Sequence, residues 1–144
     1  MNLFGMLELS GTALTAERQR AEIVASNMAN AQTTRTSEGG PYQRKLLIFR
    51  ARRLQAFPAI LAGVGANAAQ GVQVSHIVTD PSPPVRRYEP GHPDADAKGY
   101  VSYPAVNPVE EMTDLLGAVR AYELNASAIQ SAKAMIQQSI EILR

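Results

Sequence analysis

Apolar residues recur every seven positions near the start of the chain, at Leu7, Leu14, Ala21 and Met28, with Val24 and Ala25 beside them and Glu17, Arg18, Arg20 and Glu22 on other faces. This spacing predicts an amphipathic helix from Phe4 to about Met28, roughly 37 Å long, with Gly11 as its weakest point. A second and longer pattern begins at Asn107. Met112, Val119, Ala126, Lys133 and Ile140 mark one heptad position, and Leu115, Tyr122, Ile129, Ile136 and Leu143 the other. Asn107-Pro108 followed by Glu110 and Glu111 is a helix start: an N-capping side chain, a proline at the first position, and acids at the positive end of the dipole. Between Gly117 and Ser139 the only charges are Arg120, Glu123 and Lys133, while Ala118, Ala121, Ala128, Ala132 and Ala134 cover other faces. Two such helices can pair with each other, but the pattern places the alanine face outward, where it calls for neighbouring subunits.

Between the helices the period shortens. "GGPYQRKLLIF" reads as a turn feeding a strand, and "VQVSHIVT" alternates with Val72, Val74, His76 and Val78 on one face. Two more short strands are expected in "PVRRY" and "YVSYPAV", joined by the turn-rich "EPGHPDADAKG", and "AFPAILAGVGANAAQG" reads as a loop. The fold class is therefore α+β: long N- and C-terminal amphipathic helices pairing as a coiled-coil-like bundle, with a small β-rich module between them. The segments are 1–34, 35–106 with a loop at 51–71, and 107–144.

The first helix runs into "VASNMANAQTT", a stretch without a charge. Asparagine is poor inside a helix because its amide competes for backbone groups, but it tolerates left-handed geometry and satisfies carbonyls orphaned at a C-terminus. Asn27 and Asn30 are thus expected to end the helix and shape its exit.

Composition narrows the function. The chain has 144 residues, enough for one domain or one domain with an appendage, and its 45% hydrophobic content with only 6% aromatic and no Trp points to closely packed helices. A net charge of +1 argues against wholesale capture by nucleic acid or anionic lipid, although six of the 14 basic residues lie at Arg35, Arg44, Lys45, Arg50, Arg52 and Arg53. The run "RKLLIFRARR" fits a charged edge strand that discourages mispairing as well as it fits an acidic partner, and the acidic excess from Asp94 to Glu123 offers such a partner on an adjacent subunit. Zero cysteines exclude disulfides and thiolate chemistry. The N-terminus lacks the basic region and apolar core of a secretory signal, and no apolar run approaches membrane-spanning length.

Catalytic signatures are weak. His92, Asp94 and Asp96 in "HPDAD" have ligand chemistry, but their setting among Pro90, Gly91 and Gly99 favours turn and capping roles. His76, on an apolar strand face, reads as a hydrogen-bonded core histidine, and Gly63-x-Gly65 lacks the rest of a phosphate loop. No catalytic site, cofactor or metal site is expected.

"ASNMANAQTT" resembles the N-terminal signature of bacterial flagellar rod and hook proteins, and "YEPGHPDADAKGYVSYPAVNPVEEMTDLLGAVRAYELN" resembles proximal-rod members of that family. The resemblance implies a structural subunit of the periplasmic driveshaft. It implies other rod subunits and further copies of itself as partners, with export by the flagellar type III apparatus without cleavage of a signal; it implies no nucleic acid, no small-molecule substrate and no membrane insertion. It assigns Ser26, Asn27, Ala29, Asn30, Thr33 and Thr34 to the rod motif. Leu7, Leu14, Met28, Met112, Leu115, Val119, Tyr122, Ile129, Ile136 and Ile140 become the packing and assembly positions. The basic, then alanine-rich segment Arg50–Gln70 departs from the pattern. Two readings from other classes are a coiled-coil adaptor using its basic strand to bind nucleic acid or an acidic partner, and a metal-dependent hydrolase using His92 and the nearby aspartates.

Overall fold

The computed structural model describes residues 3–53 and 69–142, so most of the alanine-rich loop and Leu143 lie outside the described residues. The order of elements is α1 (Leu3–Ala29), β1 (Lys45–Arg53), β2 (Ala69–Thr79), β3 (Val85–Tyr88), β4 (Tyr100–Tyr103) and α2 (Pro108–Ile142). Strands β1 and β2 form one two-stranded sheet, and β3 and β4 another. The chain is thus α+β, two long helices with a small two-sheet module between them in sequence.

Helix α1 runs without a break through Gly11, where an added Cβ would meet nothing, so this glycine costs only the usual backbone entropy. Helix α2 begins as its cap predicts: Asn107 Oδ1 accepts the Val109 N–H at 3.1 Å, its carbonyl accepts the Glu111 N–H, and its Nδ2 donates to Glu110 Oε1. In the β3–β4 hairpin, Val85 pairs with Tyr103, Arg86 with Ser102, Arg87 with Val101 and Tyr88 with Tyr100, antiparallel.

The fold comprises two compact units, each drawing on both helices. One holds the described parts of Met1–Gln19, Ile48–His76 and Ala118–Arg144; the other holds Arg20–Leu47 and Ile77–Gly117. In the first, Ser10, Ala16, Gly71, Ala118 and Ala132 are buried. Thr12 Oγ1 donates to the Leu9 carbonyl and accepts the Val72 N–H at 3.1 Å, which fixes α1 to β2. Gly71, at φ +140, lies against Thr12 so closely that a Cβ there would come within 2.5 Å of Oγ1. In the second unit Val24, Asn27, Val101, Pro104 and Glu111 are buried.

The burial of α2 corrects the expected helical face. Ala118 and Ala132, expected outside, are 1% and 0% exposed, and Ala121 and Ala128 are half-buried beside them. The Leu115, Ile129 and Ile136 line is half-buried, but Met112, Val119, Tyr122 and Ile140 are exposed. One heptad position of the inner seam is therefore Glu111, Ala118, Asn125 and Ala132, one residue before the Met112 line. Small side chains let backbones approach closely, and a polar residue enters the seam when its partners are built in. On α1, Leu7, Leu14, Ala21 and Met28 are half-buried, flanking Ser10, Ala16, Val24 and Asn27 at the centre.

His76 is a second correction: it is exposed, with its Nδ1 at 3.0 Å from Ser75 Oγ. Val72, Val74 and Val78 on its face are half-buried, so the alternation holds, but among the described residues the sheet is only two strands wide and the face is not sealed at His76.

Candidate functional site

The uncharged stretch at the end of α1 divides into two tasks. Asn30 behaves as a helix end requires: its backbone N–H and its Nδ2 both donate to the Ser26 carbonyl, at 3.1 and 2.9 Å, and its Oδ1 accepts the Thr33 hydroxyl at 3.2 Å. Its carbonyl accepts the Thr33 N–H, and the Thr33 carbonyl accepts the Tyr42 N–H, so the exit is stitched directly to the segment entering β1. No non-glycine residue has positive φ among the described residues, so the exit is made without the left-handed geometry that asparagine tolerates.

Asn27 does something else. It is 1% exposed, inside α1, and all of its amide capacity is directed away from its own helix. Oδ1 accepts the Lys45 N–H and the Tyr42 hydroxyl, each at 2.9 Å. Nδ2 donates to the Lys45 carbonyl at 2.9 Å and to Glu111 Oε2 at 3.0 Å. A primary amide matches this site because it presents an acceptor and two donors in one plane, which pairs with both backbone groups of a single residue. Asn27 is therefore a buried junction between α1, the first residue of β1 and the first turn of α2, not a cap.

Charge completes the junction. Glu111 is 1% exposed, and its Oε1 receives Arg44 through Nε and a terminal nitrogen, each at 2.6 Å. Arg44 also lies 3.9 Å from Asp114, which accepts from Arg20 of α1 at 3.4 Å. An unpaired carboxylate buried this deeply would be strongly destabilising; two charge-assisted bonds from Arg44 and one from Asn27 make the burial tolerable and fix its geometry. The Asp80 N–H donates to the Arg44 carbonyl at 2.8 Å, which ties the segment after β2 to the same place.

The other motif residues reach the long turn before β4. The Thr34 hydroxyl donates to Asp94 at 2.7 Å, and Arg35 lies 3.8 Å from the same carboxylate. The Asp94 N–H donates to His92 Nδ1, and Asp96 Oδ1 accepts the Lys98 and Tyr100 N–H groups at 2.8 and 2.9 Å. Those two bonds, Tyr100 first, hold the Asp96 carboxyl below its ordinary range, and Ser82 does the same for Asp80. "HPDAD" is thus a turn whose ligand-type side chains are engaged with backbone and motif groups. Tyr103, whose hydroxyl donates to Glu89 at 2.8 Å, is pushed up by that bond.

Of the predicted motif residues, Asn27, Asn30, Thr33, Thr34 and the Ser26 carbonyl all enter this network, while Ala29 is exposed at the last helical position. Sequence reasoning missed Tyr42, Arg44, Glu111 and Asp94 as its partners. Glu111 carried one signal: it begins the heptad line of Ala118, Asn125 and Ala132.

Comparison with known proteins decides what this architecture belongs to. Residues 7–35 match the model of the flagella basal body rod protein family, and residues 97–142 match that of the flagellar basal body rod FlgEFG protein C-terminal region. The flagellar basal-body rod protein FlgC of Borreliella burgdorferi is 42% identical to the chain over 151 residues, an alignment that spans 100% of this chain and 99% of that protein. The chain belongs to the flagellar basal-body rod family. FlgC of Bacillus subtilis strain 168 is 41% identical over 150 residues, with 99% of each chain covered. FlgC of Salmonella typhimurium is 33% identical over 142 residues, with 99% of this chain and 98% of its own covered. The two matched rod-family stretches contain the two sides of the buried junction, Asn27 in one and Glu111 in the other; Tyr42 and Arg44 lie between them in sequence. A rod-family member is a structural protein of the basal body, and among the described residues no helix is long and apolar enough to cross a membrane.

Proposed function

We propose that this rod-family chain is a non-enzymatic subunit of the proximal rod that polymerises with copies of itself and with other rod subunits through its terminal helices. The observation that carries the reading is the outward face of α2. Val109, Met112 and Leu116 are 72%, 57% and 54% exposed, and Val119, Tyr122 and Ile140 are also exposed. Apolar side chains in such number on one helix are what an assembly subunit presents before its neighbours arrive. Leu115, Ile129 and Ile136, at the rim of the inner seam, and Leu7, Leu14 and Met28 on α1, are half-buried and complete the helical surface offered to neighbours.

In this reading the motif from Ser26 to Thr34 acts inside the subunit, setting the angle at which the chain leaves α1, while the helices make contacts between subunits. The protein is exported by the flagellar type III apparatus, retains its N-terminal segment, and works in the periplasmic part of the basal body without nucleic acid or a small-molecule substrate. The adaptor alternative weakens because Arg44, one of the basic run, is engaged with Glu111. The hydrolase alternative weakens because Asp94 and Asp96 are engaged in the turn.

Mass spectrometry of purified basal bodies tests the proposal. The chain is expected there with the residues from Asn2 onward intact. Its absence from basal bodies of cells that express it overturns the rod assignment, and removal of the first segment overturns the export route.

A further inference from the structure

The β3–β4 hairpin has two unlike faces. Val101, opposite Arg87 in the ladder, is fully buried, so the side shared by Val101, Arg87, Val85 and Tyr103 is the inner one, with the Arg87 guanidinium 4.9 Å from the centre of the Tyr103 ring. The other side carries Arg86, Tyr88, Tyr100 and Ser102. Tyr88 is 66% exposed, and its ring meets that of Tyr100 edge to face, 5.4 Å between centres. Two tyrosines already ordered against each other beside an arginine form a surface of the kind that anchors protein interfaces, because little side-chain entropy remains to be lost on docking. All four residues of β3 are exposed, and the strand carries two positive charges and no acid. On this side Arg86, Tyr100 and Ser102 border an open cleft with Thr34, Pro41 and Asp94, and Arg86 attracts the nearby Asp96 carboxylate, although Asp94 and Asp96 are bonded chiefly to Thr34, Arg35 and backbone N–H groups.

The outward face of α2 is its counterpart. Val109, Met112, Leu116 and Val119 follow one another at helical spacing, and the next residue on that line is the exposed acid Glu123. Beyond it the face turns polar or small, through Ser127, Gln130, Ala134 and Glu141. The apolar stripe is therefore short and ends on a negative charge. Two strand residues, Tyr88 to Arg86, advance about 6.6 Å. Four helix residues, Val119 to Glu123, advance about 6 Å. A strand laid along this stripe brings aromatic rings onto Leu116 and Val119 and an arginine onto Glu123 in the same step.

We propose that the outward face of the β3–β4 hairpin of one subunit docks on the Leu116–Val119–Glu123 stripe of a second copy, with Tyr88 and Tyr100 covering the apolar residues and Arg86 meeting Glu123. The inference rests on the rod reading. The two surfaces differ, so the contact is head-to-tail and leaves each bound subunit with one hairpin or one stripe still free, which propagates an open polymer instead of closing a dimer.

The chain contains no cysteine, which makes disulfide trapping free of background. Tyr88→Cys and Val119→Cys are introduced together into the full chain, basal bodies are purified and mildly oxidised, and products are separated without reductant. Covalent dimers and higher multimers of the chain are expected from the double variant and from neither single variant, since a disulfide needs Cα atoms within about 7 Å. Incorporation of the double variant without multimers overturns the docking, as does a dimer from Val119→Cys alone or a bond to a different protein. A second arm does not depend on those cysteines. Arg86→Glu is expected to reduce incorporation about tenfold, the scale of one lost and reversed charge contact, and Glu123→Arg added to it to restore incorporation; failure of that restoration overturns the pairing. Wild-type chain missing from the basal bodies counts against the rod reading itself, whereas chain present without the trapped contact counts only against this interface.

Discussion

Removing the Asn27 amide is the sharpest probe of the buried junction. Asn27→Ala deletes four hydrogen bonds, to the Lys45 N–H, the Lys45 carbonyl, the Tyr42 hydroxyl and Glu111 Oε2. The Lys45 and Tyr42 groups are near enough to solvent for water to replace part of the loss, so together they account for roughly 2 kcal/mol. Glu111 is 1% exposed, and its orphaned oxygen adds about 1–3 kcal/mol. The sum, roughly 3–5 kcal/mol, is a large part of the 5–15 kcal/mol that typically holds a domain together. Near-ultraviolet circular dichroism in a urea titration is a suitable assay, because Tyr42, Tyr88, Tyr100 and Tyr103 belong to the junction's unit and the remaining tyrosine, Tyr122, does not. With a slope of about 1–2 kcal/mol per molar urea, the midpoint of that signal is expected to fall by about 1.5–5 M. Asn27→Asp is the control for geometry. It keeps the Oδ1 acceptor but sets an oxygen where Nδ2 now lies 3.0 Å from Glu111 Oε2, and two acceptors so close repel. It is expected to cost at least as much as alanine at neutral pH. A loss below about 1 kcal/mol for alanine, or an aspartate variant as stable as wild type, refutes the reasoning, because the four bonds would then have no measurable role.

Gly71→Ala places a Cβ within 2.5 Å of Thr12 Oγ1 at φ +140, and is expected to cost about 1–3 kcal/mol in thermal unfolding; an unchanged melting temperature contradicts the close approach of β2 to α1. Asp96 has its folded pKa lowered by the Tyr100 and Lys98 N–H groups, so its contribution is present above the unfolded aspartate value of about 3.9 and is lost as pH falls through the lower folded value. The Lys98 and Tyr100 amide resonances are expected to titrate together in that acid range and to stop doing so in Asp96→Asn; independent titration of the two is the opposing result. Ala132→Leu forces a large side chain into a fully buried position and is expected to cost about 1–3 kcal/mol in the isolated subunit, whereas Met112→Ser, at an exposed position, is expected to leave the subunit's stability within about 0.5 kcal/mol and to impair incorporation into basal bodies. Equal effects of the two on the isolated subunit are incompatible with the inner and outer faces as assigned.

Element identity was legible wherever one local rule controlled it. The Asn107-Pro108 start of α2 is written within five residues, and the β3–β4 hairpin in two short β-forming runs around a turn whose aspartates bond their own backbone. The rotation of α2 was not legible, because hydrophobicity alone assigns Met112 to the inside and Glu111 to the outside. That assignment reverses only when Asn27 and Arg44, 84 and 67 residues away in sequence, are known to converge on Glu111. The same holds for Asn27, whose position three residues before Asn30 mimics a second cap. A buried amide announces itself through partners distant in sequence, and a reading confined to neighbours along the chain assigns it the nearest local task.

The reversal on α2 also explains how one helix serves both a fold and an assembly. A seam of Ala118 and Ala132 buries little apolar area per residue, so on its own it contributes modestly to stability even where packing is close. Close approach through small residues leaves the larger ones, Val109, Met112, Leu116 and Val119, on the opposite side. At about 25 cal/mol per Å² of apolar surface, the greater part of this helix's hydrophobic stabilisation is therefore available only when something covers that side. The polar junction adds to this seam at the start of α2: Asn27, Arg44 and Glu111 fix that end by direction-specific bonds, which orient the first turns carrying Val109, Met112 and Leu116 before any neighbour is present. A seam of large residues with a small, polar exterior would make a more stable monomer and a poorer subunit, so the distribution of side-chain size around α2 is itself the physical argument for assembly.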